Sequence, residues 1–228
     1  MPVVMCFGDS NTHGTIPMAS LEDRRRYGRS TRWPGVLAAA LGPDWHVIEE
    51  GHGGRTTVHE DPIDGAHRSG ARILPALLET HRPLDVVVIM LGTNDCQTRF
   101  HSSAFDISRS VERLVRDVRS SDAGPDGSAP GVLVISPVPV KEVGLFAALF
   151  SGGATKSRAL SPLLADMAAR HGVHFADAGD WADVDPAEGV HLSAEAHRAI
   201  GTGVAVTLTE VIGSKQVDKS QPRVAKDH

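Results

Sequence analysis

Cysteine is almost missing from this chain: its 228 residues hold two, Cys6 and Cys96, which is no framework for a disulfide-stapled fold. Cys6 lies inside an apolar run and reads as a small buried hydrophobe. Cys96 follows a loop motif, which allows a thiol close to a candidate site without requiring one. Aromatic residues are scarce at 4%, and any Trp or Phe near a binding site therefore weighs heavily in its shape. No apolar run approaches the length of a membrane span, and no basic stretch leads into an apolar one at the amino terminus. The chain accordingly reads as a cytoplasmic protein with no membrane partner. Excess basic charge is lacking too. A net charge of -5 and a pI near 6.2 leave no electrostatic footprint for nucleic acid. The basic cluster of Arg24, Arg25 and Arg26 with Arg29 and Arg32 reads as a solvated loop with some ion pairing.

What the chain does have is the composition of an ordinary globular domain, and its length suits one substantial core rather than two. Short apolar runs recur at Val3–Phe7, Trp45–Glu49, Asp85–Leu91, Gly131–Ser136 and Val173–Ala176, each read as a strand. Between them, apolar residues fall at spacings of three and four. Trp33, Val36, Leu37 and Leu41 make one stripe, and Ile73, Leu74, Leu77 and Leu78 another. Ile107, Val111, Leu114, Val115 and Val118 make the clearest, and Leu160, Leu163, Leu164 and Met167 continue the series. A last helix is expected after Ser193, a suitable N-cap, with Ile200, Val204 and Leu208 on one side. Strand and helix in alternation predict an α/β fold: a three-layer α/β/α sandwich around a five-stranded parallel, flavodoxin-like sheet. The domain is expected over residues 1–212, with an exposed loop at Ser121–Pro130 and a disordered tail from 213 to 228, where periodicity stops.

Four loop motifs then stand out. GDS at Gly8–Ser10 follows the first strand, GHGGRTT at Gly51–Thr57 the second, GTND at Gly92–Asp95 the third, and EGVH occupies Glu188–His191. In a doubly wound sheet the loops after strands one to three share one rim, where such folds hold their ligands. The loop after the last strand folds back to the same rim. Ser10 there is a candidate nucleophile, provided a base reaches it.

In their order and strand context these four blocks resemble the SGNH hydrolases of the GDSL esterase family. Thr31–Gly42 (TRWPGVLAAALG), Val47–Gly51 (VIEEG) and Val86–Asp95 (VVVIMLGTND) are similar to its arylesterase and acyltransferase branch in particular. The resemblance implies Ser10 as nucleophile and His191 as general base, a role worth about 10² to 10⁴ in rate. It also implies an oxyanion hole built from the backbone N–H of Ser10, the backbone N–H of Gly54 and the side-chain amide of Asn94. Gly54 is preferred to Gly53 because the family's G-x-T-T aligns with Gly54-Arg55-Thr56-Thr57. One position departs from the pattern. The family usually carries aspartate three residues before the histidine, and this chain has Glu188; a glutamate still accepts the imidazole Nδ1–H, with Asp185 and Asp183 as nearby alternatives. Asp9 and Asp95 read as hydrogen-bond acceptors that fix their turns.

No metal or nucleotide motif is found, and FGDSNTHG lacks the lysine of a phosphate-binding loop, so no cofactor is expected. Phe146 and Phe150, at helical spacing after the fourth strand, are placed in the core, in an acyl or aryl pocket, or at a subunit contact. With little sequence available for a large lid, the expected substrate is a small-molecule ester with a short acyl group on a small or aromatic alcohol; carbohydrate acetyl esters also fit. Acyl transfer to alcohols shares the same acyl-enzyme. Two other classes compete: a ligand-binding relative whose triad the Glu188 change has impaired, and a nucleotide-binding module of the same fold class. The family branch further implies a homo-oligomer.

Overall fold

The structure, a computed structural model, describes residues 1–219, with side chains described through Glu210. Five strands form one sheet: β1 (Val3–Gly8), β2 (His46–Gly51), β3 (Val86–Met90), β4 (Gly131–Ser136) and β5 (His174–Asp177). All neighbours pair in parallel, in the order β2-β1-β3-β4-β5. This is the flavodoxin-like order; β4 has the expected bounds, and the other four expected strands differ from the observed ones by one or two residues at an end. Such apolar strands form because both faces of the sheet are covered, so no polar alternation is required.

Side chains along each strand go alternately to two cores. Met5 and Phe7 of β1, Val87 and Ile89 of β3, and Val132 and Val134 of β4 pack on one face. There they meet α3 (Gly70–His81), α4 (Ala104–Arg119) and α5 (Gly153–His171). Val4, Cys6, Val86, Val88, Leu133 and Ile135 pack on the other, against α2 (Trp33–Leu41) and α6 (Ala194–Lys219). The α4 stripe is buried at all five expected positions. Burying each such side chain favours folding by about 1.5–3 kcal/mol, and truncating Leu114 to alanine costs about 2–5 kcal/mol. α4 starts where it does because Ser103 and Asp106 form a reciprocal cap. Ser103 Oγ accepts from Asp106 N at 3.1 Å, and Asp106 Oδ2 accepts from Ser103 N at 3.0 Å.

The expected last helix is present, with Ser193 Oγ accepting from Ala196 N at 3.2 Å. It runs through Lys219, and the remainder of the expected tail, 220–228, lies outside the described residues. Among the described residues no helix is long and apolar enough to cross a membrane. The basic cluster is ion-paired: Arg25 meets Asp23 at 2.7 Å, while Arg29 and Arg32 converge on Glu49. Between β1 and β3 the chain order reverses, and the loops leaving their carboxyl ends diverge there. That is where a doubly wound sheet leaves a crevice.

Candidate active site

β1 ends at Gly8 because the chain turns at once into a single helical turn, α1 (Ser10–His13). A Cβ on Gly8 would overlap the Thr12 hydroxyl, so only glycine fits this strand-to-helix corner. Asp9 caps the turn: its Oδ1 accepts from Asn11 N at 2.9 Å, and its carbonyl accepts from His13 N at 2.8 Å. Asp9 thus fixes the corner as expected. Burial raises its carboxyl to about 6, against opposing hydrogen bonds and the nearby His191. Ser10 opens the turn and is 6% exposed.

The second loop is fastened to this corner. His52 N donates to the Gly8 carbonyl at 3.1 Å, as does Arg55 Nη1 at 3.0 Å. Arg55 also donates to the Glu50 carbonyl and lies over the Phe7 ring, 4.4 Å from its centroid. Burial lowers its guanidinium to about 10. Gly54 takes φ +71°, a left-handed conformation, with the Arg68 guanidinium against the face a Cβ would occupy. A side chain there would be strained whatever the space.

The third loop is zipped to the second by two side chains. Asp95, fully buried, accepts from Thr57 N at 3.0 Å and from the Thr57 hydroxyl. Asn94 Nδ2 donates to the Arg55 carbonyl at 3.0 Å, and Asn94 Oδ1 accepts from Gln97 Nε2 at 3.0 Å. The Arg55 carbonyl can only accept, so the amide orientation follows from the network. One Nδ2 hydrogen is left for another acceptor.

The fourth loop carries the imidazole. His191 Nδ1 lies 2.8 Å from Glu188 Oε2, with both residues at most 5% exposed. Glu188 is fully engaged: Oε1 accepts from Val190 N and His191 N at 3.2 and 3.0 Å, and Oε2 accepts also from Met18 N at 3.1 Å. The longer glutamate side chain folds back over its own loop and spans to residue 18. Asp185 is occupied elsewhere. Its Oδ1 accepts from Ala187 N and Glu188 N at 2.9 and 3.1 Å, shaping the loop, while Asp183 pairs with Lys141 at 3.2 Å. Asn11 Nδ2 donates to the Val190 carbonyl at 3.1 Å, which ties the serine turn to the histidine loop across 179 residues of sequence. Ser10 Oγ and the imidazole are not hydrogen-bonded among the described contacts, as is common before a substrate is bound.

Phe146 ends a short helical turn (Gly144–Phe146) and Phe150 lies one hydrogen-bonded turn later, its N donating to the Phe146 carbonyl at 3.0 Å, ahead of α5, so the helical spacing is realised and both side chains go to the core. Both are nearly buried, their rings edge to face at 6.4 Å, and Phe146 meets the His191 ring at 5.7 Å. Cys96 is buried, its thiol pushed up to about 12 by burial and then by Asp95, which makes it a poor nucleophile. Among the described residues no three His, Cys, Asp or Glu side chains converge as a metal site.

Sequence reasoning missed Asn11, Gln97, Arg55 and Arg68. None repeats with a helical or strand period; Asn11 and Arg55 act on backbone carbonyls, Arg68 meets His52 sixteen residues away, and Gln97 holds the side chain of Asn94 three residues before it. Only their position inside or beside the motifs pointed to them.

The arrangement can hold an imidazole in one tautomer beside a serine at a helix start, with backbone and amide donors close by. Such a constellation suits acyl transfer. The model of the GDSL-like lipase/acylhydrolase family matches residues 6–199. Comparison with curated proteins finds no match. Among solved structures, a carbohydrate acetylesterase from Sinorhizobium meliloti is 40% identical, covering 92% of this chain and 100% of that one at a TM-score of 0.89. A second S. meliloti protein, a carbohydrate acetylesterase family member, is 42% identical over 93% of this chain and 100% of its own, at 0.86. The inhibitor-bound aryl esterase of M. smegmatis is 37% identical over 92% and 99%, at 0.88.

Proposed function

The chain belongs to the GDSL-like lipase/acylhydrolase family and is a carboxylic ester hydrolase, and on that premise we propose that it cleaves short-chain acyl esters of small or aromatic alcohols through an acyl-enzyme on Ser10. His191 takes the Ser10 proton on Nε2, the nitrogen left free by the contact between Nδ1 and Glu188. Ser10 Oγ bonds to the acyl carbon, and the charge that develops on the former carbonyl oxygen is met by Ser10 N–H, Gly54 N–H and Asn94 Nδ2. Each such donor is worth about 2.7–4 kcal/mol in the transition state. The ester C–O bond then breaks, and the leaving alcohol receives the proton from His191. Water, deprotonated by the same imidazole, releases the acid in the second half.

The observation that carries this reading is the Glu188–His191 contact: a buried carboxylate with every oxygen engaged, holding one imidazole nitrogen so that the other is a base. It also speaks against an impaired ligand-binding relative, because the glutamate meets the imidazole at full hydrogen-bond distance. The buried setting of Ser10 and the Phe146 edge on His191 favour a second, related activity, capture of the acyl group by an alcohol in place of water.

Hydrolysis of a p-nitrophenyl ester series from acetate upward, with Ser10→Ala as control, tests the proposal. Turnover that declines with acyl length and vanishes in the variant is expected; equal rates in both proteins would remove Ser10 from the chemistry. Adding an alcohol and measuring new ester against free acid tests transfer.

A further inference from the structure

Beside Gly54 lies a guanidinium without a carboxylate. Arg68 stacks on the loop with its Nη1, Cζ and Nε 3.1, 3.2 and 3.3 Å from where a Gly54 Cβ would be. Its Nε is buried and has no partner, and its Nη1 reaches only the His52 ring, at 3.4 Å. It forms no ion pair among the described residues. Buried and half-buried charges are ordinarily paired. The acids of the same loop are committed to other arginines: Asp61 to Arg99 at 3.1 Å, and Glu60 to Arg72 at 2.5 Å. Asp64 is directed to Arg99 as well.

The surroundings reinforce the sign. His52 packs edge to face on His67 at 5.5 Å, and the fixed charges that act on it most are the guanidinium groups of Arg55 and Arg68. Burial and these cations lower His52 to about 4, so at neutral pH it is an uncharged ring next to a fixed cation. His52 N also donates to the Gly8 carbonyl, which places this group at the rim that carries Ser10. Taken together, a planar cation, a neutral imidazole and a glycine loop make a surface that accepts an anionic group next to an ester carbonyl.

We propose that Arg68, with His52, forms a subsite for a carboxylate on the substrate, so that the enzyme prefers esters carrying a negative charge a few ångströms from the scissile bond. This inference rests on the esterase reading, since it uses Gly54 as the point where the carbonyl oxygen is held. Recognition is by charge-assisted hydrogen bonds from the guanidinium, so it weakens with salt and survives in part with lysine.

The test compares 4-carboxyphenyl acetate with its neutral relative 4-carbamoylphenyl acetate in the wild type, Arg68→Gln and Arg68→Lys. The readout is the ratio of kcat/KM for the two esters within each protein, which cancels any general damage to the oxyanion loop. Expected is a ratio of about ten in the wild type, falling toward one in Arg68→Gln and in 0.5 M salt, with an intermediate value in Arg68→Lys. A wild-type ratio of one or below overturns the proposal, as does a ratio that Arg68→Gln leaves unchanged. If Arg68→Gln does not fold, the salt dependence in the wild type and the Arg68→Lys ratio decide alone. Failure of the esterase reading looks different: neither ester is turned over, or turnover of the neutral one persists in Ser10→Ala.

Discussion

Gln97 holds Asn94 by its oxygen: Gln97 Nε2 lies 3.0 Å from Asn94 Oδ1, with both side chains at most 7% exposed. With the Arg55 carbonyl on the nitrogen side, the Asn94 amide is gripped at both ends, and its remaining hydrogen is aimed without a choice of flip. Gln97 touches no reacting atom in the proposed mechanism; it positions one that does. Gln97→Glu sets a carboxylate against Asn94 Oδ1 and favours the flipped amide, which presents oxygen to the oxyanion. A fall in kcat of about 10² is expected, close to the loss of an oxyanion donor, with KM little changed. Gln97→Met, which removes the hydrogen bond and keeps the volume, is expected to cost about tenfold. In an Asn94→Ala background both changes should have little further effect, and additive losses in that double-mutant cycle would refute the positioning role.

Glu188 does more than a shorter acid could. It accepts from three backbone amides and the imidazole, and one of those amides belongs to Met18 on a separate loop. Glu188→Gln keeps the shape but presents an amide, which favours the wrong imidazole tautomer; kcat should drop by about 10³ to 10⁴. Glu188→Asp shortens the reach by one methylene and cannot hold Met18 N and His191 Nδ1 together. A tenfold to hundredfold loss is expected, roughly, with the pH profile retaining its shape. Full activity in Glu188→Gln would move the orienting role to another acid of the loop, Asp185 first.

Asn11 is the mechanical link between the Ser10 turn and the histidine loop. Asn11→Ala leaves the Val190 carbonyl without its donor in a buried place. The expected cost is about 1–3 kcal/mol of stability, read from the urea midpoint, together with a larger fall in kcat than rise in KM. A variant with lowered stability and unchanged kcat would show that the link serves folding alone.

The sheet and most helices were legible because their cause is periodic. Both faces of the sheet are covered, so its strands are short apolar runs, and α4 carries one apolar stripe to one core. The meeting of four loops at one rim was legible too, once strands and order were assigned, because parallel topology sends every strand's carboxyl end to the same edge. Phe146 and Phe150 were legible in part: their helical spacing is real, with Phe150 N donating to the Phe146 carbonyl at 3.0 Å, and both are buried in the core. Their approach to His191 was not legible, because it depends on Gly144, whose φ of +60° lets it pack against the Ala187 carbonyl and pins the segment to the histidine loop. Asn11 and Arg68 meet partners that no local pattern encodes, Asn11 and Val190 being 179 residues apart; Gln97 is only three residues from Asn94, but their contact depends on the turn the loop takes. Aspartate against glutamate before His191 was a question of reach, and reach is set by where Met18 and the loop amides stand.

A buried histidine outside the proposed chemistry gives the chain a specific acid weakness. His197 is fully buried, its Nδ1 accepts from Trp33 N at 3.3 Å, and its Nε2 has no partner among the described residues. Burial, then the charges of His191 and Arg32, hold it at about 4 against an ordinary value of 6.5. Between those two values the unfolded chain binds a proton that the folded protein refuses. Stability therefore rises with pH across this window and is lost as pH falls from about 6.5 to about 4, by up to roughly 3 kcal/mol from this group. Above 6.5 both states hold the ring neutral and the term is constant. His197→Gln retains an acceptor for Trp33 N but does not titrate. Urea unfolding at pH 7.5, 5.5 and 4.5 should show the variant losing less stability than the wild type on acidification, even where its packing is poorer at pH 7.5. Parallel curves for the two proteins would mean that the ring is solvated or partnered as it protonates, and the acid sensitivity would then belong to other groups.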